Sequence, residues 1–155
     1  RIKKNIGPLL VGGFVGVPLA MASGAFLAGR VFGLPESVGL ATLAKHNLSP
    51  FAVQIAFNLG VSPGLACTAA IVSGILGVCV LPWLLDRMHI TSPMARGVAA
   101  GASSHGAGTL CLAARGEADA SAFASTTFAF GGAIAVLLVN LAPYQIALRA
   151  LAGYP

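Results

Sequence analysis

Charge is the scarcest commodity in this chain. Only 8% of its 155 residues are Asp, Glu, Lys or Arg, where an ordinary soluble domain carries about a quarter. Four of them are acidic, which leaves no room for a solvated acidic face or for paired catalytic carboxylates. Cysteine is nearly absent too. Cys67, Cys79 and Cys111 are odd in number, stand in apolar stretches and have neither disulfide-framework nor metal-ligand spacing. They read as small buried hydrophobes. No phosphate-binding loop and no zinc motif is present. The sequence therefore predicts no cofactor, no metal and no enzymatic activity.

What remains is apolar. Hydrophobic residues make up 57% of the chain, and residues 5–29, 47–85 and 120–148 contain no charge at all. Each run exceeds the roughly 20 residues that a helix needs to cross the hydrocarbon core. Transmembrane β-strands would show alternating segments of about 10 residues, which the sequence lacks. The prediction is an all-α polytopic membrane protein, a single transmembrane domain over residues 1–155, with the bilayer as its solvent. The net charge of +5 is no nucleic-acid footprint, because its cations are scattered singly apart from Arg1, Lys3 and Lys4. That trio reads as a cytoplasmic, stromal or matrix anchor by the positive-inside rule.

The spans are not uniform. The first, Ile6 to Val31, places a small residue at every fourth position (Gly12, Gly16, Ala20, Gly24, Ala28), a smooth stripe suited to close helix packing. Pro18 is expected to kink it. Residues 35–59 are interrupted by Lys45, His46, Asn47, Ser49 and Pro50 and read as a discontinuous or re-entrant helix broken at KHNLSP. Gly64 to Leu85 is a full span. Met94 to Ala102 is helical, Ser103 to Thr109 is a break, and Leu110 to Ala114 resumes. A polar turn at 115–119 leads into a last span from Ala120 to Leu141. Tyr144 to Pro155 is short and suits the membrane interface. The count is three full spans and two broken or re-entrant helices. No internal sequence repeat is visible.

Paired interrupted segments are the best sequence pointer to a transporter site, because the freed backbone groups at such breaks can hold a substrate. Residues 94–109 read MARGVAAGASSHGAGT, of which twelve are Gly, Ala, Ser or Thr. Ser103, Ser104, His105 and Thr109 offer polar side chains there, and Gly106 and Gly108 expose backbone amides. Polar groups at membrane depth are functional candidates by default. His105 is the candidate for proton coupling, since an unperturbed imidazole titrates near 6.5. In the first break Lys45, Asn47 and Ser49 are the substrate candidates, with Lys45 able to neutralise a carboxylate or to snorkel to an interface. Arg96 is read as a partner of Asp86 or as a loop cap, and Glu36, Glu117 and Asp119 as loop charges. A Ser–His hydrolase is disfavoured, because Ser104 and His105 point apart on a helix and no carboxylate is near in sequence to orient the ring.

Residues 95–109, ARGVAAGASSHGAGT, resemble the signature ARGLAxGTASHALGTA of the LrgB/CidB family. Residues 45–52, KHNLSPFA, resemble more loosely the family's PKSVTTPIA, with His46, Asn47 and Leu48 standing where the signature has Ser, Val and Thr. The likeness runs from Arg1 to about Leu141. The family includes bacterial membrane proteins tied to murein hydrolase export and cell lysis, members associated with pyruvate movement, and the plastidal glycolate/glycerate translocator of plants. The resemblance implies an integral protein of a bacterial inner membrane or a plastid inner envelope. It also implies that this chain is the C-terminal part of a larger domain. Two functions follow as expectations. One is secondary transport of small monocarboxylates of glycolate, glycerate or pyruvate type. The other is antiholin-like regulation of lysis through a holin-like membrane partner. A homo-oligomer is compatible with either.

Overall fold

The computed structural model describes residues 12–155; the Ile6 to Val11 part of the expected first span, and the basic trio, lie outside them. Every regular element among the described residues is helical. The first span is α1 (Val17–Phe26), extended by wider π-helical turns at Gly12–Gly16 and Leu27–Val31. Pro18 falls in the first turn of α1, directly after the π turn, where a missing N–H is tolerated best. Next come α2 (Glu36–Ala41), a 3-10 turn (Thr42–His46) and α3 (Ser49–Leu59). The remaining helices are α4 (Pro63–Arg87), α5 (Pro93–Ala114), α6 (Ala118–Val139) and α7 (Ala142–Ala152).

Among the described residues, three segments have the length and hydropathy to cross a membrane: Phe14–Val31, Pro63–Arg87 and Ala118–Val139. Their outward faces are apolar. Leu19, Phe26, Ile71, Leu76, Val80, Trp83, Phe130 and Leu137 are all exposed, an arrangement that water would penalise and lipid tails accept. Cys79 shares that outward face, which corrects its reading as buried. The chain is an integral membrane protein.

The two interrupted segments are re-entrant hairpins. In the first, Arg149 of α7 pairs with Glu36 at the start of α2 and donates to the Leu59 carbonyl at the end of α3, 2.9 Å away. One side chain reaches both ends of the segment, so both ends lie at one face. Asn47 and Leu48, both extended, make the turn. In the second hairpin the reversal is sharper than the sequence implies. Helical geometry persists through α5 except at His105, with φ 41° and ψ −126°. A straight helix of 22 residues would hold its ends about 33 Å apart. Here Arg96 and Arg115 both reach Asp86, at 2.9 and 2.7 Å. A Cβ on Gly108 would fall 2.5 Å from the Ala100 carbonyl oxygen, so the two arms lie against each other. The predicted break over Ser103 to Thr109 is thus corrected to one residue. Gly106 and Gly108 stay helical, and their lack of side chains serves the close approach of the arms rather than an open loop.

The span α4 runs from the base of the first hairpin to the base of the second. The hairpins therefore enter from opposite faces, and their arms of 9 to 12 residues reach about halfway through a core of roughly 30 Å. Their tips meet: Leu48 Cδ1 lies 3.3 Å from where a Cβ on Gly106 would stand. A span followed by a hairpin thus occurs twice, in opposite senses, which is an inverted-topology arrangement. Large side chains fill the first hairpin's core, with Leu40, Leu43, Ile55 and Leu59 almost fully buried against Ala66 and Ala70 of α4 and Leu148 of α7. The second hairpin packs on α6 through Gly97 and Gly101, whose Cβ positions are occupied by the Ala120 and Ala124 backbone.

Candidate functional site

The polar tips converge on the middle of α4. Ser73 donates to the Lys45 carbonyl of the first tip and also lies 3.1 Å from the Ala70 carbonyl. His105 Nε2 of the second tip sits 3.0 Å from that same Ala70 carbonyl oxygen. A carbonyl only accepts, so Nε2 carries a hydrogen, and in the neutral ring Nδ1 is then a bare acceptor. Nδ1 is buried and has no partner. Gly74 and Gly77 make room for the tip on α4: a Cβ at Gly74 would stand 2.7 Å from His105 Cε1, and one at Gly77 would overlap Ser104 Oγ. The positive φ of His105 belongs to glycine by preference, and holding an imidazole there costs about 1–3 kcal/mol. Such strain clusters at functional sites.

Beside the tips lies a cavity of about 530 Å³. Gly16, Val17, Ala20 and Met21 line it from the first span, and Leu43, His46 and Asn47 from the first hairpin. Val98, Ala99, Gly101, Ala102 and Ser103 on the entering arm of the second hairpin and Thr126, Thr127, Phe128, Phe130 and Gly131 on α6 close it. Its polar groups are His46, Asn47, Ser103, Thr126 and Thr127, with no carboxylate among them. Ser103, Thr126 and Thr127 donate to carbonyls one turn back in their own helices, which leaves their oxygen lone pairs to the cavity. Asn47 is 5% exposed, and its carboxamide has no hydrogen-bond partner among the described residues.

The site residues expected from sequence separate into two groups. Asn47 and Ser103 line the cavity. The others serve the hairpins. Lys45 presents its carbonyl to Ser73, and Ser49 its carbonyl to Cys67 Sγ at 3.9 Å. Ser104 and His105 face α4, Gly106 touches the first tip, and Gly108 joins the two arms. Thr109 bonds back to the His105 carbonyl at 3.3 Å. Sequence reasoning missed His46, Thr126 and Thr127 as lining residues. The two threonines sit in the last uncharged run, where a TT pair amid Phe and Ala was the available signal.

The second hairpin is tied at its base by four charges. Arg96 binds Glu117 through Nε at 2.5 Å and Nη2 at 2.9 Å, and Asp86 through Nη1 at 2.9 Å. Arg115 bridges the same two carboxylates. The hydrogen bond from Arg96 holds the Glu117 carboxyl below its ordinary range, and the Arg115 guanidinium is correspondingly raised by Glu117. The sequence reads Arg96 as a partner of Asp86 or as a loop cap; it pairs with Asp86, donates to the Ile90 carbonyl of the preceding loop, and has Glu117 as a second acidic partner. These charges line a polar cleft with His89, Thr91 and Asp119 at that face.

Comparison with known proteins places this architecture. The chain is 35% identical over 108 residues to the uncharacterised protein YxaC of Bacillus subtilis, covering 70% of this chain and 46% of that protein. It is 28% identical over 153 residues to plastidal glycolate/glycerate translocator 1, chloroplastic, of Arabidopsis thaliana, covering 98% of this chain and 30% of that one. The uncharacterised protein YwbG of Bacillus subtilis is 28% identical over 111 residues, 70% of this chain and 48% of that protein. The chain thus spans about half, or less, of the length of these relatives. No solved structure matches. The family model described as the LrgB-like family matches residues 1–144, and with most of its length so covered, this chain of paired re-entrant hairpins belongs to that family.

Proposed function

We propose that the chain forms the substrate-binding core of a secondary carrier for small monocarboxylates, of glycolate, glycerate or pyruvate type. The observation that carries the reading is the cavity beside the hairpin tips, with polar groups from both hairpins and from α6 and no acidic side chain. An anion entering it meets no like charge. Asn47 lines the cavity, has no hydrogen-bond partner for its carboxamide among the described residues, and supplies two amide donors. The lone pairs that Ser103, Thr126 and Thr127 keep for the cavity can accept from a substrate hydroxyl, and His46 lines the same space, a set suited to a carboxylate with a neighbouring hydroxyl. The Arabidopsis relative, named for glycolate and glycerate, agrees in substrate class.

The test is uptake of labelled glycolate, glycerate and pyruvate into proteoliposomes holding the full-length protein. Saturable uptake with counterflow is expected, reduced at least tenfold by Asn47→Ala in protein that still purifies folded. Folded wild-type protein that moves none of the three, and that copurifies with a holin-like partner, would overturn the reading in favour of lysis regulation.

A further inference from the structure

The cavity does not explain His105. The ring faces α4 rather than the cavity, yet it is held in a glycine-like backbone conformation with one nitrogen buried and bare. Its other nitrogen fixes the second tip to the Ala70 carbonyl. A proton added to Nδ1 would create an N–H with nothing to accept it. A buried, unpaired donor bearing a positive charge is far costlier than a bare acceptor. The surroundings offer no relief. Between Pro63 and Leu85 the titratable groups of α4 are the thiols of Cys67 and Cys79, and α6 has none between Ala120 and Val139. On the returning arm there is only the Cys111 thiol. From the first tip come Lys45 and His46, neither of them a carboxylate.

We infer that a proton on His105 Nδ1 and a second tip seated on α4 exclude each other, which makes His105 the proton-binding site that releases this hairpin. The step forms one N–H bond, with the proton drawn from and returned to the aqueous phase. The Ala70 carbonyl carries the effect onward. While His105 donates to it, the single Ser73 hydroxyl hydrogen is free for the Lys45 carbonyl. When His105 leaves, Ser73 turns back to Ala70, and the first tip loses its tie two residues before Asn47. Protonation at one tip thereby loosens the other, the one that lines the cavity. This inference rests on the transport reading for its purpose but not for its test.

Two measurements decide it. The first is nitrogen NMR of histidine-labelled full-length protein in lipid nanodiscs, with His105→Gln identifying the His105 signals. At neutral pH the ring is expected in the Nε2–H neutral form. On acidification its conversion to imidazolium should coincide with loss of exchange protection at Gly106 to Gly108. A charged His105 under a protected tip, or an Nδ1–H tautomer, would overturn the inference whatever the protein transports. The second is uptake driven by a pH gradient. His105→Gln can still donate to Ala70 but cannot take a proton, so it should retain counterflow and lose gradient-driven accumulation. Ser73→Ala should lose the same drive while its His105 signals titrate as in wild type. Either variant retaining the drive would sink the coupling. Absence of all wild-type uptake would instead sink the carrier reading and leave the NMR result to stand for this one.

Discussion

The two hairpins have the same topology and opposite chemistry. The first fills its interior with Leu40, Leu43, Ile55 and Leu59, turns over two extended residues, and is fastened at its base by one partly exposed arginine, Arg149. The second has a core of small residues around one large side chain, Leu112, turns on the single strained residue His105, and is fastened by a four-charge cluster. Side-chain volume holds the first together wherever its base sits. Backbone proximity and buried charge hold the second. A hairpin built this way gives up little apolar area when it moves, because small residues bury little, and its anchorage is concentrated in a few polar contacts. The molecule thus pairs a hairpin set by packing with one set by electrostatics and a strained turn.

The comparison breaks most severely at the arms of the second hairpin. A Cβ on Gly108 meets backbone at Ala100, not a flexible side chain that could swing aside. Gly108→Val should cost more than about 3 kcal/mol and abolish the folded hairpin, read as loss of thermal unfolding cooperativity in purified full-length protein. A β-branched residue at an exposed position of the first hairpin, as in Phe57→Val, should leave stability within about 0.5 kcal/mol. Equal effects would show that the two hairpins are held alike.

The bases give the next contrast. Arg96 is 9% exposed, and its loss leaves Glu117 with Arg115 alone and removes the partner of the Ile90 carbonyl that its Nη1 reaches at 3.0 Å. Arg96→Ala should cost about 3 kcal/mol, the range for removing one partner of a largely buried pair. Arg149→Ala, with both partners about one-third exposed, should cost about 1 kcal/mol, part of it the lost Leu59 carbonyl bond. Paired denaturation midpoints of the two variants check the difference. A reversed order would place the tighter anchor at the first hairpin.

How much of this was legible from the residues depends on which physical signal each element carries. The three spans were plain, because long uncharged runs have few other fates. The first break was legible to within two residues, since Pro50 and the polar KHN before it forbid a continuous helix. The second was found but drawn too wide. Gly106, Gly108 and the serines look like loop in composition, while in the fold they are the small residues that let two antiparallel arms touch. The meeting of Arg96 with Glu117 was hidden because it depends on the chain reversing at His105, and a single residue with positive φ leaves no mark in composition. The cavity lining was half legible: Asn47 and Ser103 lie at the breaks, whereas Thr126 and Thr127 reach it from an unbroken span. Ser104, His105 and Gly108 stood out for the right reason, being polar or small at membrane depth, but their contacts are with α4 and with each other.

The smallest predicted effect concerns acid. Glu117 lies in the turn between the second hairpin and α6, and its hydrogen bond from Arg96 lowers its folded-state carboxyl relative to the unfolded chain. A depressed carboxyl contributes stability that is fully present above the unfolded value, roughly 4.3, and that disappears as pH falls through the lower folded one. Acidification from pH 6 to pH 3 should therefore loosen the base of the second hairpin before that of the first. Hydrogen exchange at residues 93–97 and 113–118, compared with 36–40 and 56–60, measures it. Glu117→Gln should remove most of the difference, because a neutral amide keeps the shape but not the charge that Arg96 and Arg115 share. The effect is limited because Glu117 is partly solvated, with its side chain 23% exposed, and salt should shrink it further. If the first hairpin opens first in acid, the charge cluster is not what fastens the second, and the weight of its anchorage moves to the glycine contacts with α6.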